Sequence, residues 1–302
     1  MLQLFCNNPI FKENYKGMST EPGYDALLPP EMARKAEYLG VRKAETPFLK
    51  FFGLSILAGA FISLGAVFAT TTAVGGGELP YGVNRLLIGL VFCLGLIMVI
   101  IGGAELFTGN NLIVMAWASK KIGTATLLKS WGIAYLGNFV GAIGTVLLVF
   151  LSGQYHGANG EIGNTALSIA SAKAGIDPFN AFFMGILCNA LVCLAVWMSF
   201  SARTALDKIA VILFPISGFV AMGFEHSIAN MYFIPIGLFI KWFDPTFANA
   251  FIDKTGNNLS ALTTGDFLIN NLIPVTLGNI VGGVVFVAAI YWVIFLRQTK
   301  EE

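Results

Sequence analysis

The sequence predicts an all-α membrane protein with six transmembrane spans in two inverted three-span repeats, spans two and five being broken at the bilayer midplane. Composition is the first observation behind this. Hydrophobic residues make up 56% of the chain and charged residues 12%, and the mean hydropathy is +0.75, far from the soluble average. The second is a repeated polar cassette. Gly103-Ala104-Glu105-Leu106-Phe107-Thr108-Gly109-Asn110 and, 120 residues later, Gly223-Phe224-Glu225-His226-Ser227-Ile228-Ala229-Asn230 interrupt two apolar stretches with Gly, Glu and Asn at identical spacing. An unpaired backbone group in hydrocarbon costs several kcal/mol, so such a break has to be buried in protein or line a watery cavity. Matched breaks in two halves point to one internal pathway. The third is that the repeat runs beyond the cassettes. Leu57–Leu64 echoes Leu187–Leu194, and Leu136-Gly137-Asn138-Phe139-Val140-Gly141 echoes Leu277-Gly278-Asn279-Ile280-Val281-Gly282. Three spans per half is an odd number, so the halves cross the membrane in opposite senses.

The elements follow in order. Residues 1–45 are polar, carry no signal-peptide pattern, and are expected to form a cytoplasmic segment. Within it, Leu28-Pro29-Pro30-Glu31 and the run to Gly40 read as a short amphipathic helix, proline at its start and glycine at its end, lying on the inner membrane surface. The six-span domain occupies 46–302, with repeats over about 46–153 and 178–297. About 20 apolar residues cross the bilayer, which places spans at 47–73, 85–118, 126–152, 179–202, 208–241 and 268–296. The second and fifth are too long for simple spans and are each read as two half-helices joined by a loop inside the membrane. Many of the 34 glycines, such as Gly137, Gly141, Gly278 and Gly282, sit at helical spacing where close helix packing uses them.

Lys and Arg are retained on the cytoplasmic side of short loops. With the N-terminus inside, 14 of the 18 fall inside and only Arg85, Lys173, Lys241 and Lys254 outside, which makes both termini cytoplasmic. The formal net charge of +1 averages over two faces and points to no nucleic-acid partner. Cys6, Cys93, Cys188 and Cys193 lack metal-ligand spacing and read as packing residues. No His-Glu-x-x-His, Gly-x-Ser-x-Gly or Cys/His cluster is present to hold a metal or activate a nucleophile, so the sequence is not read as an enzyme and no cofactor is expected.

His226 is the only histidine placed inside the membrane, since His156 lies in a polar outer stretch. An intramembrane ionisable group faces a cavity or a relay far more often than lipid. With an ordinary pKa near 6.5, histidine presents a cation or a neutral donor to a passing anion. Thr108, in the opposite break, offers a hydroxyl for both the histidine and a carboxylate. Glu105 and Glu225 read as structural, binding backbone amides freed by the breaks, and Asn110 and Asn230 as N-caps of the second half-helices.

Three segments resemble the formate/nitrite transporter family. Gly102-Gly103-Ala104-Glu105-Leu106-Phe107-Thr108-Gly109-Asn110 and Gly185-Ile186-Leu187-Cys188-Asn189-Ala190-Leu191-Val192-Cys193-Leu194-Ala195 are similar to its two signature segments, and Phe224–Met231 to its central histidine motif. The likeness runs from about residue 25 to the C-terminus and is nearest to the bacterial formate-channel branch, from whose usual start Met1–Gly17 departs. The resemblance implies a homopentamer of aquaporin-like protomers, each with its own pore, passing formate and small monocarboxylates across a bacterial inner membrane. It also implies that Asn189 and Asn279 lie near the substrate path, with interhelical bonding as the alternative role. By the same likeness, Phe92, Leu96, Leu106, Phe107, Val192 and Phe219 form apolar constrictions, and Lys173 draws anions into an outer vestibule. Nitrite and hydrosulfide are the alternative substrates, carried by proteins that share these motifs. A neutral-solute channel of the aquaporin kind would need two Asn-Pro-Ala loops, and none is present. An ammonium channel would show paired pore histidines. Solute flux without chemical conversion separates all of these from a membrane enzyme.

Overall fold

The computed structural model describes residues 26–297; Met1–Gly17, Cys6 and both chain ends lie outside the described residues. All of the regular structure among the described residues is helical. Helix α1 (Pro29–Ala44) begins with proline, ties its start by Leu28 N–H donating to the Glu31 carboxylate at 2.9 Å, and ends on Arg42 and Lys43, whose charge suits the C-terminal dipole. It runs past Gly40, to Ala44. Its stripe of Met32, Ala33, Ala36 and Gly40 is buried against a tight turn at Gly109–Ile113 and against α4 (Val114–Ala118). At Gly40 an added Cβ would stand 3.0 Å from Ala116 Cβ, so the small residues are what let α1 dock on the protein.

Five helices are long and apolar enough to cross a membrane: α2 (Phe48–Ala73), α3 (Tyr81–Gly102), α5 (Thr124–Leu151), α7 (Pro178–Ser199) and α11 (Asp266–Phe295), the last widened by π-helical turns. The bounds of α2, α5, α7 and α11 lie within a few residues of the apolar runs read from sequence, and each of these runs starts beside Pro, Gly or Asp. The two long runs are interrupted where the cassettes fall. α3 stops at Gly102, Gly103 turns the chain with φ +70°, and helix resumes only after Thr108. α8 (Ala205–Ala221) is followed by Gly223 at φ +79°, and α9 (Ser227–Phe243) then starts afresh. A side chain other than glycine is strained at such φ values, which is why glycine opens each cassette.

Two helices were not anticipated. α6 (Glu161–Ala174) and α10 (Pro245–Thr255) occupy connections to which the sequence reading gave no element; Asp244 caps α10, and Leu167 and Ala170 of α6 are fully buried against α9. Too short and too polar to register as spans, they fold because tertiary packing covers one face.

The two halves share their main helix pairs. α2 packs on α5 and α3, while α7 packs on α11 and α8. An added Cβ on Gly141 of α5 would meet Ile56 O at 2.0 Å, and one on Gly282 of α11 would meet Ile186 O at 2.2 Å. Backbones in this contact are held too close for any larger residue. Outward-facing surfaces carry exposed apolar side chains such as Leu148, Phe214 and Ile269.

Candidate pore site

Breaking a helix frees backbone groups, and one asparagine per half takes them up. Asn138 of α5 accepts from Phe107 N–H at 2.9 Å and donates to Glu105 O at 2.9 Å and Ser55 O at 2.7 Å. Asn279 of α11 accepts from Ser227 N–H at 2.9 Å and donates to Glu225 O at 3.0 Å and Gly185 O at 2.8 Å. Each amide thus ties a break to two neighbouring helices and spends its hydrogen bonds on backbone.

The carboxylates do not take the loop amides expected of them, since the asparagines already do. Glu105 Oε2 lies 2.8 Å from Lys43 Nζ and accepts from Asn110 Nδ2 at 2.9 Å, with Lys43 also donating to Asn110 Oδ1 at 2.8 Å. In the other half, Glu225 Oε1 lies 2.6 Å from Lys173 Nζ and its Oε2 accepts from Asn230 Nδ2 at 2.6 Å. Asn230 Nδ2 also donates to Asn271 Oδ1 at 2.7 Å. Asn110 and Asn230 are therefore not N-caps: they sit inside the first turn and point at the carboxylate. Capping falls to His226, whose Nδ1 accepts from Ala229 N–H at 3.1 Å, while Thr108 occupies the cap position of the first break without a side-chain cap bond. Each lysine is neutralised by its glutamate, a necessity for Glu225, which is 3% exposed. Lys173 also lies 5.4 Å over the Phe233 ring.

At the centre, Thr108 Oγ1 and His226 Nε2 are 2.9 Å apart, with Thr108 0% and His226 3% exposed. Because Nδ1 accepts, the neutral ring carries its proton on Nε2 and donates it to Thr108, an assignment made from the hydrogen bonds. The threonine proton is then free to turn toward a third group.

Two cavities approach this pair. The outer one, about 530 Å³, is lined by Arg85, Phe92, Lys173, Phe219, Glu225 and His226 among others. The inner one, about 310 Å³, is lined by Lys35, Lys43, Glu105, Asn110 and Lys208 among others, and by Gly109, the residue after Thr108. His226 lines the outer cavity and the neighbour of Thr108 lines the inner one, so the Thr108–His226 contact lies between the two. Leu96, Leu106, Phe107 and Val192 are buried and belong to neither cavity. Phe92 meets Phe219 edge to face at 5.8 Å, and Phe219 lies 5.9 Å from the His226 ring. Phe107 is turned instead against Trp131 and Tyr135 of α5. Asn189 brings its amide within reach of Asn279 O at 2.6 Å, Asn111 Oδ1 at 2.8 Å and Thr108 O at 3.3 Å.

Sequence reasoning gave no role to Lys43 or Asn138. Asn138 was visible as the repeat mate of Asn279. Lys43 had no signal, being one of several lysines on a segment expected to lie outside the core.

The family model for the formate/nitrite transporter matches residues 30–293. Formate channel FocA of Escherichia coli (strain K12) is 47% identical over 286 residues, covering 94% of this chain and 100% of its own. Formate channel FocB of the same strain is 34% identical over 281 residues, covering 93% and 99%. A solved pentameric formate channel with formate bound superposes with a TM-score of 0.76 at 45% identity, covering 83% of this chain and 98% of that one. An FNT family ion channel superposes at 0.73 and 30% identity, covering 87% and 98%. These relatives are channels, not enzymes, and the chain belongs to the formate/nitrite transporter family.

Proposed function

We propose that this chain is a channel for formate and related small monovalent anions, working as a pentamer in a bacterial inner membrane with both termini in the cytoplasm. Its six spans are α2, α3 with α4, α5, α7, α8 with α9, and α11, in two inverted repeats over about 46–153 and 178–297, the second and fifth broken by the cassettes. The observation that carries this reading is the Thr108–His226 hydrogen bond of 2.9 Å lying between the outer and inner cavities. The relatives' activities and the matched packing of the halves support it.

The chemistry follows from the groups present. Lys43 and Lys173 draw a monovalent anion into the vestibules, and because each is paired with a glutamate neither holds it tightly. Apolar side chains around Phe92, Phe219, Leu96, Leu106 and Val192 strip water from it. The Thr108 hydroxyl, polarised by the His226 Nε2–H that it accepts, is the donor offered at the contact, replacing lost hydration without a full charge. Asn189, bonded to Thr108 O and Asn279 O, holds the two breaks in register.

His226 makes conduction depend on pH. A doubly protonated ring must donate from Nδ1, where Ala229 N–H already donates, so charging it displaces that amide and shifts the first turn of α9. His226→Phe is expected to give a folded channel whose formate flux no longer changes between about pH 5 and 8, the range in which histidine ordinarily titrates. Wild-type pH dependence in that variant would overturn the role of the ring.

A further inference from the structure

The two vestibules differ in a way the repeat does not require. In the outer cavity, Lys173 is neutralised by Glu225, and Arg85 spends Nε and Nη2 on the carbonyls of Ala221 and Val220 at the end of α8. The inner cavity holds three lysines, Lys35, Lys43 and Lys208, and Glu105 is its sole lining carboxylate among the described residues. Glu105 is taken by Lys43.

Two ammonium groups are left over. Lys35 donates to Phe200 O at 2.7 Å, which uses one of its three hydrogens. Lys208 has no hydrogen-bond or ion-pair partner among the described residues and is half-buried. Burial first, and the charge of Lys208 second, lower the pKa of Lys35, so the two ammoniums feel each other across the cavity. Like charges facing one low-dielectric space with no counter-carboxylate form an anion site, and a monovalent ion neutralises only one of them. The cavity's 310 Å³ is about ten times the share of one liquid water. An oxyanion fits with part of its hydration.

We propose that the inner cavity binds a small divalent oxyanion, of the sulfate or phosphate type, between Lys35 and Lys208, and that a dianion lodged there obstructs monovalent anion flux. Such an ion cannot go further, because the apolar constriction and the uncharged Thr108–His226 pair do not offset the cost of desolvating two charges. The obstruction rests on the proposed pore; the binding does not.

Two readouts keep these apart. Sulfate binding to the purified, detergent-solubilised protein is measured by equilibrium dialysis with labelled sulfate. Formate flux is measured in proteoliposomes with sulfate on both faces, against gluconate at equal ionic strength. Wild-type protein should bind sulfate and lose formate flux several-fold in it. Lys208→Gln and Lys35→Gln should each bind sulfate much more weakly and escape the inhibition, with flux in gluconate largely unchanged. Sulfate binding that is absent in the wild type, or equal in all three proteins, overturns the site. Binding that depends on both lysines while formate flux ignores sulfate overturns the obstruction. A wild type that conducts no formate in gluconate counts against the channel reading, and dialysis still decides the site.

Discussion

Asn279→Leu separates a structural asparagine from a substrate-contacting one. The substitution keeps the branched heavy-atom skeleton and removes one acceptor and two donors. Ser227 N–H and Glu225 C=O lose their bonds to Asn279 and are stranded in a buried setting, at about 1 to 3 kcal/mol each. Gly185 C=O lies inside α7 and keeps the place of an intrahelical bond, so its loss is nearer 1 kcal/mol. The sum, roughly 3 to 7 kcal/mol, is comparable with the whole stability of a typical domain at about 5 to 15 kcal/mol. Asn279→Leu is therefore expected to lose its monodisperse size-exclusion peak, in detergent, at temperatures the wild type survives. Asn138→Leu, which strands Phe107 N–H and Glu105 C=O, should behave alike. Asn279→Asp, keeping the acceptor for Ser227, should fall between. An Asn279→Leu protein with the wild-type melting midpoint and only its flux altered would refute the tie and return Asn279 to the substrate path.

Other outcomes follow from the same geometry. Thr108→Val replaces a hydroxyl by a methyl of the same shape, so it should cost no more than about 1 kcal/mol in thermal stability while lowering formate flux; the reverse pattern would make Thr108 a structural residue. Lys173→Met leaves Glu225 buried without its counter-ion and should cost about 3 kcal/mol, recovered in Lys173→Met/Glu225→Gln; melting curves of the single and double variants check this, and a fully stable single variant contradicts it. The Asp207 carboxyl is held below its ordinary value of 3.8 by the Thr204 backbone amide, the Thr204 hydroxyl and the Arg203 amide. A lowered carboxylate adds stability that is present above the unfolded-state value and lost as pH falls through it toward the folded one. The melting difference between wild type and Asp207→Asn should accordingly shrink as pH is taken below about 4; a difference that grows there would refute it.

The five long apolar helices were legible because hydrocarbon imposes length and apolarity on each run, and the two helix interruptions because Gly103 and Gly223 are followed by carboxylates in otherwise apolar sequence. Thr108 and His226 were legible as a pair because each lies in a break, although nothing in the sequence gives their separation. The partner of each glutamate was not. Glu105 finds Lys43, 62 residues away, because a stripe of small residues docks α1 onto the first break, and docking depends on surfaces that a linear pattern does not compare. Asn138 and Asn279 stood out as repeat mates, yet their partners are main-chain atoms, which carry no sequence signature. α6 and α10 were missed for a related reason: short helices stabilised by tertiary contact leave only weak periodicity.

The most direct test of the account is stopped-flow anion flux into proteoliposomes of the purified wild-type protein, comparing formate, lactate and sulfate. An apolar constriction discriminates against an added carbon by only about 1 to 3 kcal/mol, and its uncharged donors cannot replace the hydration of a dianion. The account predicts rapid formate flux, slower lactate flux and sulfate flux no greater than in protein-free vesicles. Formate flux at the protein-free level, or sulfate flux comparable with that of formate, would contradict it.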